Sequence, residues 1–230
     1  MLKLLHRMLF CILYTLLSLS TTSAQNGAGV YYFNFFIDNA IIQIDEFKIQ
    51  GKNGKETSIN STINFPDDFA DSIRVIALQA LEERTGKNTD FIYVKNKKGI
   101  EIKTTGMEGG PDKTAVAGLP LHTWNKAKEQ FDREEYITIR VELTEGFGEK
   151  VRYNYQREEK TISPTISIFI KAFDADKNLL WKDNVTIKKF GELERKKIFV
   201  DNLSYTRNEH FSSTMILGIF KHLMAEFAKN

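Results

Sequence analysis

Cysteine is nearly missing from this chain: its 230 residues hold one, Cys11. That residue sits inside an apolar run, Met8 to Leu17, broken only by Thr15. Lys3 and Arg7 precede the run, and Thr22-Ser23-Ala24 follow it. This is the layout of an export signal with a small residue at the cut site. The run is too short for a bilayer, which takes about 20 apolar residues. Residues 1–24 are therefore expected to be a signal peptide cleaved after Ala24, leaving 25–230 as one domain. Cleavage also removes the only thiol, so disulfides cannot brace the mature chain. Exported eukaryotic domains usually carry them. The expectation is a bacterial protein, periplasmic or secreted, with no transmembrane segment in the mature chain. Cys11 lies within the apolar run rather than after it, which excludes a lipid anchor at that position.

Excess charge is absent as well. Of 32 basic residues, Lys3 and Arg7 leave with the signal, so 30 remain against 30 acidic ones. A neutral chain has no electrostatic case for nucleic acid, where affinity rests on neutralising phosphates. Lys188, Lys189, Arg195, Lys196 and Lys197 form a basic cluster, but Glu192 and Glu194 interrupt it, as on a solvated surface.

The familiar catalytic signatures are missing too. His222 and Glu226 stand one helical turn apart, yet no second histidine completes a zinc-binding HExxH. There is no GxSxG elbow and no mature cysteine nucleophile. Gly106 to Thr114 lacks the glycine directly before lysine that a phosphate loop needs. Gly146-Phe147-Gly148 lacks the third glycine of a dinucleotide fingerprint. In Asp174-Ala175-Asp176-Lys177-Asn178, the sixth and twelfth calcium-loop positions fall on Leu179 and Val185, so a hairpin turn is expected. No catalytic residue, cofactor or metal is assigned. The leading expectation is a non-catalytic accessory module that binds an envelope protein or a glycan. Two alternatives are kept: a hydrolase of glycan or peptidoglycan using Asp and Glu, and a carrier of a small apolar ligand.

What the sequence does contain is strand and helix patterning. Tyr31, Phe33, Phe35 and Ile37 alternate with Tyr32, Asn34, Phe36 and Asp38; apolar residues on both faces suit a buried central strand. Further strands are expected at Ile42–Ile49 and Thr57–Ile63, joined by a turn at 51–54. Phe91–Val94 and Ile100–Thr104 read as a hairpin. Ile137, Ile139, Val141 and Leu143 alternate strictly with polar residues, giving one core face and one wet face. Strands at Val151–Tyr155, Thr165–Phe173 and Leu179–Ile187 follow. Two main helices are predicted, about 67–85 and 207–228. Asp67 would cap the first and Gly86 would stop it. A capping box at Thr206–Glu209 would open the second, and Gly218 would pack it close to the sheet. The fold class is α+β: a mostly antiparallel sheet with those two helices packed on it.

One stretch is different. Gly106, Gly109, Gly110, Pro111, Gly118 and Pro120 crowd 105–121, where a long structureless loop is expected. A short helix follows over Thr123–Phe131. His122 and Trp124 stand at the loop's exit, and an aromatic there buries large area at little entropic cost. These two residues are the candidate binding residues.

From Ser163 to Phe227 the order is strand, acidic turn, a strand carrying Leu180-Trp181, then a closing helix. That pattern resembles small α+β accessory domains of bacterial envelope assemblies, such as the periplasmic domains of the curli secretion lipoprotein and the amino-terminal domain of the Tol-associated propeller protein. The resemblance implies a non-enzymatic role in an envelope assembly.

Overall fold

The computed structural model describes residues 27–50, 56–62, 65–106, 112–146, 150–154, 157–162, 164–188, 196–201, 204–206 and 211–229. The expected signal at 1–24, the turn at 51–54, most of 105–112 beyond Gly106, and Lys189 and Arg195 of the basic cluster lie outside these residues. In order the elements are β1 (Ala28–Asp38), α1 (Asn39–Ile42), β2 (Gln43–Gln50), β3 (Glu56–Thr62), α2 (Phe69–Thr85), β4 (Thr89–Phe91) and β5 (Lys113–Ala115). Then come α3 (Trp124–Gln130), β6 (Glu135–Thr144), β7 (Lys150–Asn154), β8 (Arg157–Ile162), β9 (Thr165–Phe173), β10 (Leu179–Ile187), β11 (Lys196–Asp201), β12 (Ser204–Thr206) and α4 (Ser213–Lys229).

The fold is α+β. Its main sheet runs β10-β9-β6-β1-β4, with β5 also on β1. The pairings β10–β9, β9–β6 and β1–β5 are antiparallel, as are all those in the two smaller sheets, β12-β11-β8-β7 and β2-β3. Only β1 departs from the rule, lying parallel to both β4 and β6. It is central, as its two-sided apolar pattern predicts.

One face of this sheet is the core. Phe33, Phe35 and Ile37 of β1, Ile137, Ile139, Val141 and Leu143 of β6, and Ile166, Ile168 and Ile170 of β9 are all buried there. Helix α2 covers them with Phe69, Ile73, Ala77 and Leu81, and α4 with Ile216, Ile219, Phe220, Leu223 and Phe227. The Phe220 ring sits 5.3 Å from Phe35 and 6.3 Å from Phe33. Each such side chain contributes roughly 1.5–3 kcal/mol by leaving water. At the sheet's end the buried Glu135 is matched by the Lys87 ammonium and by the Trp181 indole N–H, which donates to it at 3.2 Å. A buried carboxylate is tolerable only when paired in this way.

Several expectations need correction. Helix α2 has Asp68, not Asp67, at its N-cap, and no side chain caps it. Asp68 is at φ −86°, ψ 2°, not in the extended geometry that brings a capping oxygen onto the first amides. Gly86 does end the helix, left-handed at φ 67°, donating to Glu82 O at 2.8 Å. Helix α4 starts at Ser213 rather than near 207; of the expected capping box, Thr206 ends β12 and Arg207, Asn208 and Glu209 lie outside the described residues. Its cap is Ser212, whose Oγ accepts from Met215 N at 3.3 Å. Gly218 faces solvent, not the sheet. Asn39–Ile42 forms a helical turn ahead of β2. Strands β8, β11 and β12 were not anticipated; the segments REEKTI and KKIFVD carry charges that mask the strand signal.

The glycine-rich stretch is the largest correction. Instead of wandering, 113–122 runs beside β1. β5 pairs with Phe36–Asp38; Val116 N donates to Phe35 O at 2.9 Å, Phe33 N to Pro120 O at 2.8 Å and His122 N to Tyr31 O at 3.2 Å. The run breaks at 117–119, where Gly118 turns at φ 88°. Buried Thr104 staples that excursion. Its Oγ1 donates to Val116 O at 2.9 Å and accepts from Leu119 N at 3.0 Å. A chain lying along an edge needs few side-chain signals, since the ladder itself supplies the backbone partners.

Candidate functional site

The second face of the main sheet begins with alternation. On β6, Thr138, Arg140 and Glu142 point opposite to the core isoleucines, and on β9 Phe169, Lys171 and Phe173 do the same. The register aligns Tyr32, Thr138 and Lys171 in one row, and Asn34, Arg140 and Phe169 in the next. Above one end of these rows stands α3. The result is an open groove of about 770 Å³. Its floor is the outer face of β1, β6 and β9, and its end wall is His122, Thr123 and Trp124. Both sequence candidates thus line one concavity.

The end wall is fixed by named contacts. Helix α3 is held to the 95–101 hairpin by Gln130, whose side-chain amide accepts from Lys95 N at 2.9 Å and donates to Lys95 O at 3.0 Å. Tyr136 donates its hydroxyl to Phe131 O at 2.7 Å, tying the helix's exit to β6. The Trp124 ring meets Tyr136 edge-on at 6.0 Å, and Tyr136 meets Tyr31 likewise at 6.4 Å. These rings, with Ile92, Val94 and Ala127, form a small second core under the groove's end. Lys128 lies 5.1 Å and Lys177 5.8 Å from the centre of the Trp124 ring, within cation–π range. Burial pushes the Tyr31 phenol up to about 12, so it stays protonated at neutral pH.

His122 faces inward as well as onto the groove. Its Nε2 accepts from Val94 N at 3.1 Å. An accepting nitrogen carries no proton, so the neutral ring holds its proton on Nδ1. Burial, with help from the Lys126 charge, lowers its pKa below the ordinary 6.5.

Charge is unevenly spread. Arg140, Lys171 and Lys177 line the groove against one carboxylate, Glu142. Glu142 is already ion-paired with Arg140, and with Lys113 Nζ at 3.7 Å. Arg140 also stands 5.6 Å from the Phe36 ring. Two buried polar atoms nearby lack a partner among the described residues: Asn34 Oδ1 and Trp124 Nε1. Phe169 is 43% exposed on the floor. Sequence reasoning missed Tyr32, Arg140, Phe169, Lys171 and Lys177. The available signal was an aromatic, Phe169, on the face of β9 opposite Ile168 and Ile170.

The other motifs resolve into structure. Asp174 Oδ1 accepts from the amides of Asp176 and Asn178, each at 2.8 Å, and its Oδ2 from Asn178 Nδ2 at 2.9 Å. Its carboxylate thereby builds the β9–β10 turn, as the hairpin reading expects. Glu226 pairs with Lys229 Nζ at 2.6 Å. Among the described residues no cluster of His, Cys, Asp and Glu is arranged to hold a metal, and no helix is long and apolar enough to cross a membrane.

No family model and no curated protein matches this chain. Among solved structures, a neuraminyllactose-binding hemagglutinin homolog from Helicobacter pylori is similar at 7% identity, over 90% of this chain and 85% of that one, with a TM-score of 0.39. Agreement at that level bears on neither function nor ligand, so the groove is interpreted from its own residues.

Proposed function

We propose that this chain is an exported, non-catalytic binding module of the bacterial envelope or its surroundings, and that the groove over β1, β6 and β9 is where it takes its partner. Phe169 carries this reading. A phenyl ring 43% exposed on the outer face of a sheet adds nothing to the core, and it sits in a concavity already lined by Tyr32 and Trp124. Aromatic residues in a concave surface are the usual anchors of recognition. Hydrolysis by a carboxylate pair needs two such groups across a cleft, about 5–9 Å apart. Among the described residues this groove has Glu142 alone, neutralised by two cations. The resemblance of Ser163 to Phe227 to envelope accessory domains supports the same role.

The test is affinity capture from an envelope extract of the native host, with wild type beside Phe169→Ala and Arg140→Ala. A component that wild type retains and both variants lose is the expected result. Identical recovery by all three would remove the groove from the function. Export is checked separately: the protein should fractionate outside the cytoplasm, with Gln25 as its amino-terminal residue.

A further inference from the structure

The chemistry of the groove narrows what can occupy it, given that the groove is the binding site as proposed above. Its charged lining is mostly cationic, Arg140, Lys171 and Lys177 against Glu142, and its other polar groups are well placed to donate. Tyr32 accepts from Asn34 Nδ2 at 3.0 Å, which leaves its own hydroxyl proton to be donated. His122 has its acceptor nitrogen engaged by Val94 N, so only Nδ1–H remains. Arg140, Lys171 and Lys177 can donate and cannot accept. The lone carboxylate, Glu142, already receives Arg140 and Lys113. Among the described residues no carboxylate pairs with Lys171 or Lys177. The floor strands β1, β6 and β9 each have partners on both sides, so an incoming extended peptide finds no free edge to hydrogen-bond.

We propose that the groove binds an acidic polysaccharide. A peptide brings backbone N–H groups that can only donate, and the side-chain acceptors this lining offers them are the Thr123 and Thr138 hydroxyls and a Glu142 that two cations already engage. A sugar hydroxyl accepts as readily as it donates, so it can take a hydrogen bond from the Tyr32 hydroxyl, the His122 Nδ1–H or the groove's cations. Acidic groups along the chain meet Lys171 and Lys177. The C–H faces of sugar rings lie on Phe169 and Tyr32, where flat aromatic surface is exposed.

Oligogalacturonate is a suitable probe, titrated into the purified full-length protein at low salt and compared with its fully methyl-esterified form and with poly-glutamate. Three variants are compared with wild type: Phe169→Ala, Lys171→Gln, and Lys171→Gln with Lys177→Gln. All three residues are on the surface, and unchanged melting curves confirm that each variant folds. The expected result is binding of the free acid that falls about tenfold or more on esterification, in Phe169→Ala and in the double lysine variant, and that weakens as salt rises. Equal binding of acid and ester, both sensitive to Phe169→Ala, would overturn the acidic preference while leaving the groove as the binding site. Tighter, groove-dependent binding of poly-glutamate would replace the glycan with an acidic polypeptide. Binding of no polymer, or binding indifferent to all three variants, would overturn the inference; the groove would then stand or fall on the extract experiment.

Discussion

The two faces of the main sheet are built from the same three strands, yet they obey different rules. On the inner face Ile139, Val141, Ile168 and Ile170 are fully or almost fully buried beneath α2 and α4, in one apolar cluster. On the outer face, one residue along, Thr138, Arg140, Phe169 and Lys171 stand in a groove open to water. Strand geometry forces this alternation, because successive side chains leave opposite faces. It does not force an aromatic ring onto the wet side. The inner face is explained by stability; the outer face combines aromatic rings, cations that outnumber its one carboxylate and a wall of loop residues, which stability does not require. On that contrast rests the proposal that the outer face is the binding face, and it can be attacked from either side.

The largest effect is expected inside. Phe33→Ala removes a ring packed against Phe91 at 5.9 Å and Phe220 at 6.3 Å. Denaturant unfolding should show a loss of about 3–5 kcal/mol, the range for truncating a buried phenylalanine. A loss below about 1 kcal/mol would mean that the inner face is not the core. Next comes the plug at the sheet's end. Lys87→Met leaves the Glu135 carboxylate buried with the Trp181 indole as its remaining partner. Removing one half of a fully buried pair costs about 3–5 kcal/mol, and Lys87 is 40% exposed, so about 2 kcal/mol is expected here. The double change with Glu135→Gln should recover part of it, since the unpaired charge is then gone.

At the junction of the two faces, His122→Gln should cost about 1 kcal/mol near pH 7.5, the worth of one hydrogen bond to a buried amide. Its pH dependence is the sharper test. The folded state holds the His122 pKa below 6.5, so the neutral ring is the form that stabilises. Above pH 6.5 that contribution is fully present. As pH falls below 6.5 the unfolded chain takes up a proton that the folded chain resists, and stability drains away until the folded ring also protonates. Wild type and His122→Gln should therefore converge in melting temperature between pH 7 and about pH 5. Parallel curves across that range would show that His122 does not accept from Val94.

Much of this contrast was legible in the sequence where period and burial coincide. Ile137 to Leu143 alternate cleanly because one face is oil and the other water, and the bounds of β9 and β10 followed from the same pattern. The stripe Phe69, Ile73, Ala77, Leu81 marked α2 for the corresponding helical reason. Trp124 and His122, which line the groove, stood out because an aromatic and a titratable ring at the end of a glycine-rich run are conspicuous. The rest of the groove was hidden because it is assembled by register: Tyr32, Thr138 and Lys171 are neighbours only once β1 lies parallel to β6 and β6 antiparallel to β9. No local pattern encodes that pairing. The stretch at 113–121 misled because glycine and proline report conformational freedom, and the edge of β1, which captures the segment through backbone groups, leaves no side-chain trace.

The smallest expected effect on stability is the most informative about function. Phe169→Ala removes a whole aromatic ring, as Phe33→Ala does, from a strand of the same sheet. Phe169 is 43% exposed and sits on the outer face across from Arg140, whereas Phe33 is fully buried. A surface substitution away from caps, ion pairs and strained backbone usually stays within about 0.5 kcal/mol. If the outer face exists for recognition, Phe169→Ala should unfold at nearly the wild-type denaturant midpoint while losing the retained partner. A loss of stability above about 1.5 kcal/mol would instead make the ring a structural element, covered by contacts that it gives up on truncation. The two faces would then follow one rule, and the exposed phenyl ring would no longer mark a binding surface.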